Sequence, residues 1–233
     1  MAPSAGAATY GVDGPAIVSA LSGGPPHECL QAAGTALVVA LGREAPGAAE
    51  IAERCCAALR ARGMTGDDEL AVELEVAMGR APEPGLTPVA VDLEELGQLL
   101  GEALGADPGV LDLETGEVWS AGVIENAMDA GIEEVPGEPD RKRWLAVWPE
   151  GSDAAYRDMG DFIATVDDPA IADRLRTAIH GRGGFGRFRD LLNRWPEEAT
   201  RWYAFSDDRH IGRGRAWLAD AGHRAVPHTA NRS

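Results

Sequence analysis

The strongest constraint on this chain is where its rings lie. Of 13 aromatic residues (6 Trp, 3 Tyr and 4 Phe), only Tyr10 precedes Trp119. Large rings bury the most apolar area per residue, so the stable core is expected in the second unit, over about 89–221, with three strands and four C-terminal helices wrapped together. Residues 27–80 contain no ring and must pack with Leu, Ile, Val, Ala and Cys. Three short helices of that composition bury little area, so this unit is expected to lean on the rest of the chain.

Periodicity divides the 233 residues further. Residues 1–26 are rich in Ala, Gly, Ser and Pro, and read as a mobile lead with at most a short helix over 15–21. Within the helical unit 27–80, the stretches 28–41, 48–62 and 67–78 carry apolar residues at helical spacing, with Asp67 expected as an N-cap. Residues 81–88 form the linker candidate, because Pro84 and Pro88 cannot continue a helix.

A second domain is expected over 89–221. Asp92 caps a helix carrying Leu93, Leu96, Leu99 or Leu100, and Leu104. Alternation over 110–119 predicts a hairpin turning at Thr115-Gly116, and 143–148 a third strand stopped by Pro149. The acidic stretch 125–140 reads as loop. From Ser152 or Asp153 the period becomes helical, with Tyr156, Met159, Ile163 and Val166 on one stripe. Asp168-Pro169 starts the next helix, which Gly181 to Gly184 ends. Another helix follows over 185–195, with Phe185, Phe188, Leu191, Leu192 and Trp195 on one side and Pro196 as its stop. A last helical region is expected to break near Gly212-Arg-Gly214, and 222–233 reads as a mobile tail. The fold class is α+β: a small helical N-terminal unit plus a short antiparallel sheet packed with a helical C-terminal half.

The net charge is −17, and it is segregated. Residues 174–233 hold 12 Arg and no Lys against 6 acidic residues, whereas the rest hold 9 basic and 32 acidic residues. An acidic body with a basic end attracts itself or an anionic partner locally. Three cysteines, Cys29, Cys55 and Cys56, make no disulfide framework and suit a reducing compartment. Neighbours on a helix point about 100° apart, so Cys55 and Cys56 do not easily share a metal. Residues 1–22 lack the basic start and apolar centre of a secretory signal. The most apolar run, 32–41, falls well short of the roughly 20 residues that span a bilayer. A cytoplasmic location without membrane contact is expected.

The second domain also carries a run of motifs: Asp112-Leu-Glu-Thr-Gly-Glu117; Tyr156 with Met159 and Phe162; Gly181-Arg-Gly-Gly-Phe-Gly-Arg-Phe-Arg-Asp190; Trp202-Tyr-Ala-Phe205; and Trp217-Leu218. Together they resemble the bacterial Uncharacterised Protein Family 0158 over roughly 89–221. Gly184 stands where that family usually has Ala, and Gly186-Arg187 replaces its basic residue between the two Phe. The resemblance implies a bacterial α+β domain and carries over no catalytic residue.

Gly181 to Gly186 also fits the pattern of a dinucleotide-binding loop. Such a loop must follow a strand. Here it follows a helix, so a glycine cap and a tight inter-helix turn are the simpler reading. Two helices around that turn have the outline of a helix-turn-helix, with Arg187, Asp190 and Arg194 facing away from the apolar stripe. The candidate binding residues are therefore Arg182, Arg187, Arg189, Asp190 and Arg194.

The leading expectation is a non-enzymatic binding or regulatory protein of unknown partner, either an acidic protein surface or a nucleic acid. The overall acidity weighs against nucleic acid. The alternative is an enzyme that holds a small anionic substrate with Arg182, Arg187 and Arg189 and moves a proton through Asp190 or His210. Asp112 and Glu114 share a strand face near Glu133 and Glu134, but turn solvation explains them more simply than a cation. No metal or cofactor is expected, as no zinc-ligand or nucleophile-elbow motif occurs. An enzyme predicts a concave pocket of convergent side chains, and a binding module an open arginine face.

Overall fold

The computed structural model describes residues 14–24, 26–102, 106–131, 143–151 and 153–226. Its first elements are helices α1 (Gly14–Ala20), α2 (Leu30–Gly42), α3 (Ala48–Arg62) and α4 (Asp67–Ala77), with a 3-10 turn at His27–Cys29 leading into α2. These helices close a core without rings. Leu30, Leu37, Ile51, Cys55, Leu59, Leu70 and Leu74 are buried together. The expectation that the stable core lies in the second unit, over about 89–221, is thus corrected. Close approach compensates for the missing rings: a Cβ on Gly34 of α2 would lie 2.6 Å from Leu70 Cδ2 of α4. Asp67 is not the cap of α4. Gly66 holds that position, and the Asp67 carboxylate turns inward instead.

The remaining elements are β1 (Thr87–Val89), α5 (Leu93–Leu100), β2 (Gly109–Asp112), β3 (Val118–Trp119), α6 (Ala121–Asp129), β4 (Trp144–Val147), α7 (Asp153–Ala164), α8 (Pro169–Ile179), α9 (Gly184–Leu192), α10 (Pro196–Asp220) and β5 (His223–Ala225). Asp92 caps α5 by accepting from the Glu94 and Glu95 N–H groups. Asp168 does the same for α8, with Pro169 in its first turn. The hairpin turns as expected, since Gly116 sits at φ 80 and its N–H reaches Asp112 O at 2.7 Å. Val110 faces Trp119 across β2–β3, and β4 adds antiparallel on the other edge. The class is α+β, as read.

Four local expectations fail. Residues 121–129 are helical because Ser120 caps them, so the expected loop starts later; Glu133 and Glu134 lie outside the described residues, as do Leu104 and Ser152. The segments read as linker and tail meet, as β5 pairs parallel with β1, His223 opposite Thr87. Pro196 does not stop α9, which ends at Leu192; it opens α10, where its missing N–H costs nothing.

The fourth correction positions everything else. Helix α10 runs 25 residues without a break, about 37 Å at 1.5 Å per residue. Gly212 and Gly214 are points of contact rather than breaks. A Cβ on Gly214 would lie 2.4 Å from Leu93 O, and one on Gly97 of α5 would lie 1.9 Å from His210 O. Helices α5 and α10 therefore touch backbone to backbone. Helix α10 also meets α2, α4, α7, α9 and β5.

Two further cores flank this axis. Leu96, Leu100, Leu111, Val147, Ile211 and Leu218 join α5, the sheet and α10. Phe162, Phe188 and Phe205 join α7, α9 and α10, with Trp202 packed edge-on against Phe162 and Phe188. Not every ring gathers inward: Trp148 is 65% and Tyr203 52% exposed. Phe185 also leaves the stripe expected for it and lies at the surface against Tyr156, with ring centroids 4.4 Å apart. It sits in the first turn of α9, beyond the reach of the Phe188 core. Among the described residues, no helix is long and apolar enough to cross a membrane.

Candidate functional site

The five residues expected at the site all lie on the α8–α9 hairpin, and all are exposed. They do not act alike. The Arg187 guanidinium folds back across the turn and donates to the carbonyl oxygens of Ala178 (3.2 Å), His180 (2.6 Å) and Arg182 (2.6 Å). These are carbonyls left unpaired where α8 ends, so Arg187 staples the hairpin. Gly181 and Gly183 sit at φ 78 and 77 and complete the reversal. A glycine turn between helices is what the structure shows here, in place of a strand followed by a phosphate loop.

Arg187, Asp190 and Arg194 line an open groove of about 720 Å³ between the two helices, together with Asp173 and Arg174 of α8. Arg182 and Arg189 lie outside it. Among the described residues, Arg182, Arg189 and Arg194 make no ion pair.

The arginines after position 200 in the described residues contrast with these. Arg201 pairs with Glu28 and Glu198, Arg209 and Arg213 with Asp158, Arg215 with Glu73, and Arg224 with Glu83. Several belong to a buried polar network that ties α10 to the N-terminal helices. Arg62 forks onto Asp67 (2.7 and 2.9 Å) and donates to Asp208 at 2.7 Å. The Gln31 backbone N–H donates to Asp208 (2.6 Å), and the Gln31 side chain donates to Asp67 (2.9 Å) and accepts from Arg215 Nε (3.0 Å). Arg215 also donates to Thr35 and Glu73. Burial would lower the Arg62 pKa, but the hydrogen bond to Asp67 and the charge of Asp208 outweigh it and raise it. Arg62, Asp67 and Asp208 are each at most 1% exposed along their side chains.

Sequence reasoning missed this network. Its partners are up to 184 residues apart. One signal was nonetheless present: Asp208, Gly212 and Arg215 continue the stripe set by Phe205 at intervals of three and four.

His210 is not brought to the hairpin. It packs beside Gly97 of α5 and Gly101, the residue that caps that helix. Burial pushes its pKa down to about 4, and the nearby Arg213 charge adds to this. Its Nδ1 is buried without a hydrogen-bond partner among the described residues. Burial likewise raises Asp207 to about 6, helped by Glu94. Of the two residues considered for proton transfer, Asp190 lies on the hairpin and His210 does not. At the β2–β3 turn, Arg143 donates to both Asp112 oxygens and pairs with Glu114 at 3.3 Å. A guanidinium thus occupies the face where a cation was considered. Burial would raise the Asp112 pKa, but the hydrogen bonds from Arg143 outweigh it and lower it.

No family model matches this chain, and neither does any curated protein or solved structure.

Proposed function

We propose that this is a non-enzymatic binding or regulatory protein of the cytoplasm, and that the outer face of the α8–α9 hairpin engages an acidic protein. One observation carries this reading: Arg182, Arg189 and Arg194 stay exposed and make no ion pair with the described residues, in a chain with a large excess of carboxylates. Every other arginine after position 200 in the described residues has found a carboxylate. Guanidiniums left free beside an open groove suit electrostatic capture of a partner. The hairpin motif is also the most specific piece of the resemblance to Uncharacterised Protein Family 0158, and we read the chain as a divergent relative of that family.

Affinity capture from lysate, treated with nuclease and run at low and high salt, tests the proposal. Arg182→Glu, Arg189→Glu and Arg194→Glu are combined in one variant, and Arg187 is left in place because it braces the turn. The expected result is an acidic protein that the native chain retains at low salt and the variant loses, with unchanged circular dichroism. Equal capture by both would reject the surface.

A further inference from the structure

One part of this hairpin is built differently from its groove. On the flank facing α7, the exposed Phe185 ring leans on Tyr156 at 4.4 Å and 59°. Arg182 lies three residues before Phe185, in the turn that leads into α9, and Arg189 lies one helical turn after it; neither makes an ion pair with the described residues. Aromatic side chains ringed by arginine are the composition of energetic centres in protein interfaces.

Two glycines add to this. Gly160 lies one turn along α7 from Tyr156, and Gly186 follows Phe185. A Cβ on either would meet nothing within 4 Å. Glycine inside a helix is unfavourable relative to alanine. At Gly34, Gly97 and Gly214 the contacts of the fold account for it; at Gly160 and Gly186 they do not. Both leave helix backbone open to approach, Gly160 one turn from Tyr156 and Gly186 next to Phe185 in the chain.

We propose that this ring step seats an acidic peptide segment carrying one apolar side chain. The apolar group lies on Phe185 between the open glycines, and carboxylates on either side of it meet Arg182 and Arg189. The proposal rests on the binding reading above and names the chemistry of its partner. Charge complementarity selects the occupant, since the two guanidiniums have no carboxylate partner among the described residues. A nucleic acid fits less well: its affinity grows with the number of phosphates neutralised, and the ring is flanked in sequence by only two unpaired guanidiniums, Arg182 and Arg189.

The test uses the full chain and a labelled synthetic peptide of glutamates with a central leucine. Fluorescence polarisation compares it with the same peptide carrying a central serine and with a single-stranded oligouridine. The leucine peptide is expected to bind about tenfold more tightly than the serine peptide. Arg182→Glu with Arg189→Glu is expected to weaken it by at least about tenfold, and raised salt to weaken binding to the native chain. Gly160→Ala and Gly186→Ala are each expected to raise the melting temperature and yet weaken the peptide. A purely structural role does not produce those opposite movements.

Equal binding of the two peptides overturns the ring seat, as does a higher melting temperature with unchanged affinity in both alanine variants. Preferential binding of the oligouridine overturns the choice of a peptide, and self-association that the same arginine variant abolishes makes a second copy the occupant instead. If the peptide fails while lysate capture still depends on the three arginines, this proposal falls and the binding reading stands. If capture is also independent of them, both fall.

Discussion

Arginine does opposite work in two regions of this molecule. Between α10 and the N-terminal helices, Arg62 and Arg215 are almost fully buried and spend their donors on Asp67, Asp208, Gln31, Thr35 and Glu73. On the α8–α9 hairpin, Arg182 and Arg189 make no ion pair with the described residues and face solvent. The difference lies in the surroundings. A guanidinium buried in a low-dielectric site must be matched by carboxylates, and removing one partner strands a charge. A guanidinium left in water meets no such demand, so the fold does not require it to be there. Arg187 lies between these extremes: it is exposed, but backbone carbonyls occupy it.

The largest break in this comparison is expected at its buried side. Asp208→Ala leaves Arg62 short of a partner and should cost about 3–5 kcal/mol in urea unfolding. A loss below about 1 kcal/mol would show that the network is dispensable. Phe188→Ala, in the ring cluster that carries the hairpin, should cost a comparable 3–5 kcal/mol or so by the same measurement. A loss of about 1 kcal/mol or less there would mean that the hairpin is not anchored through that core. Arg187→Met should cost about 1 kcal/mol, since its bonds end on carbonyls open to water, and it should speed amide exchange at residues 180–184. Unchanged exchange would reject the staple.

His210 is held near 4 in the folded chain against an ordinary value near 6.5, so burial favours its neutral form. Its contribution is complete above pH 6.5 and is lost as pH falls through 4. Asp207 runs the other way: its folded value of about 6 exceeds its ordinary value near 3.8, so its contribution is complete below pH 3.8 and fades as pH rises through 6. His210→Asn should therefore flatten the loss of stability between pH 6.5 and 4. An identical acid limb in native and variant chains would contradict the burial of a neutral imidazole.

Much of the fold was legible because its signals are local. The Asp92 and Asp168 caps, the Gly116 turn and the α3 period are each written within a few residues. The pairing of β5 with β1 was not, because the partners lie 136 residues apart in register and neither strand exceeds three residues. Gly212 and Gly214 misled because a glycine that admits a neighbouring backbone looks, in sequence, like one that ends a helix. At the candidate site, composition located the arginine-rich hairpin. Only geometry separated Arg187, which staples it, from Arg182, Arg189 and Arg194, which do not.

The most direct test of this division is the unfolding free energy of the Arg182→Glu, Arg189→Glu, Arg194→Glu variant, measured beside the native chain in urea. Arginines kept for a partner rather than for the fold predict a change within about 0.5 kcal/mol. A loss above about 2 kcal/mol would show that these guanidiniums hold the structure together and would contradict the account.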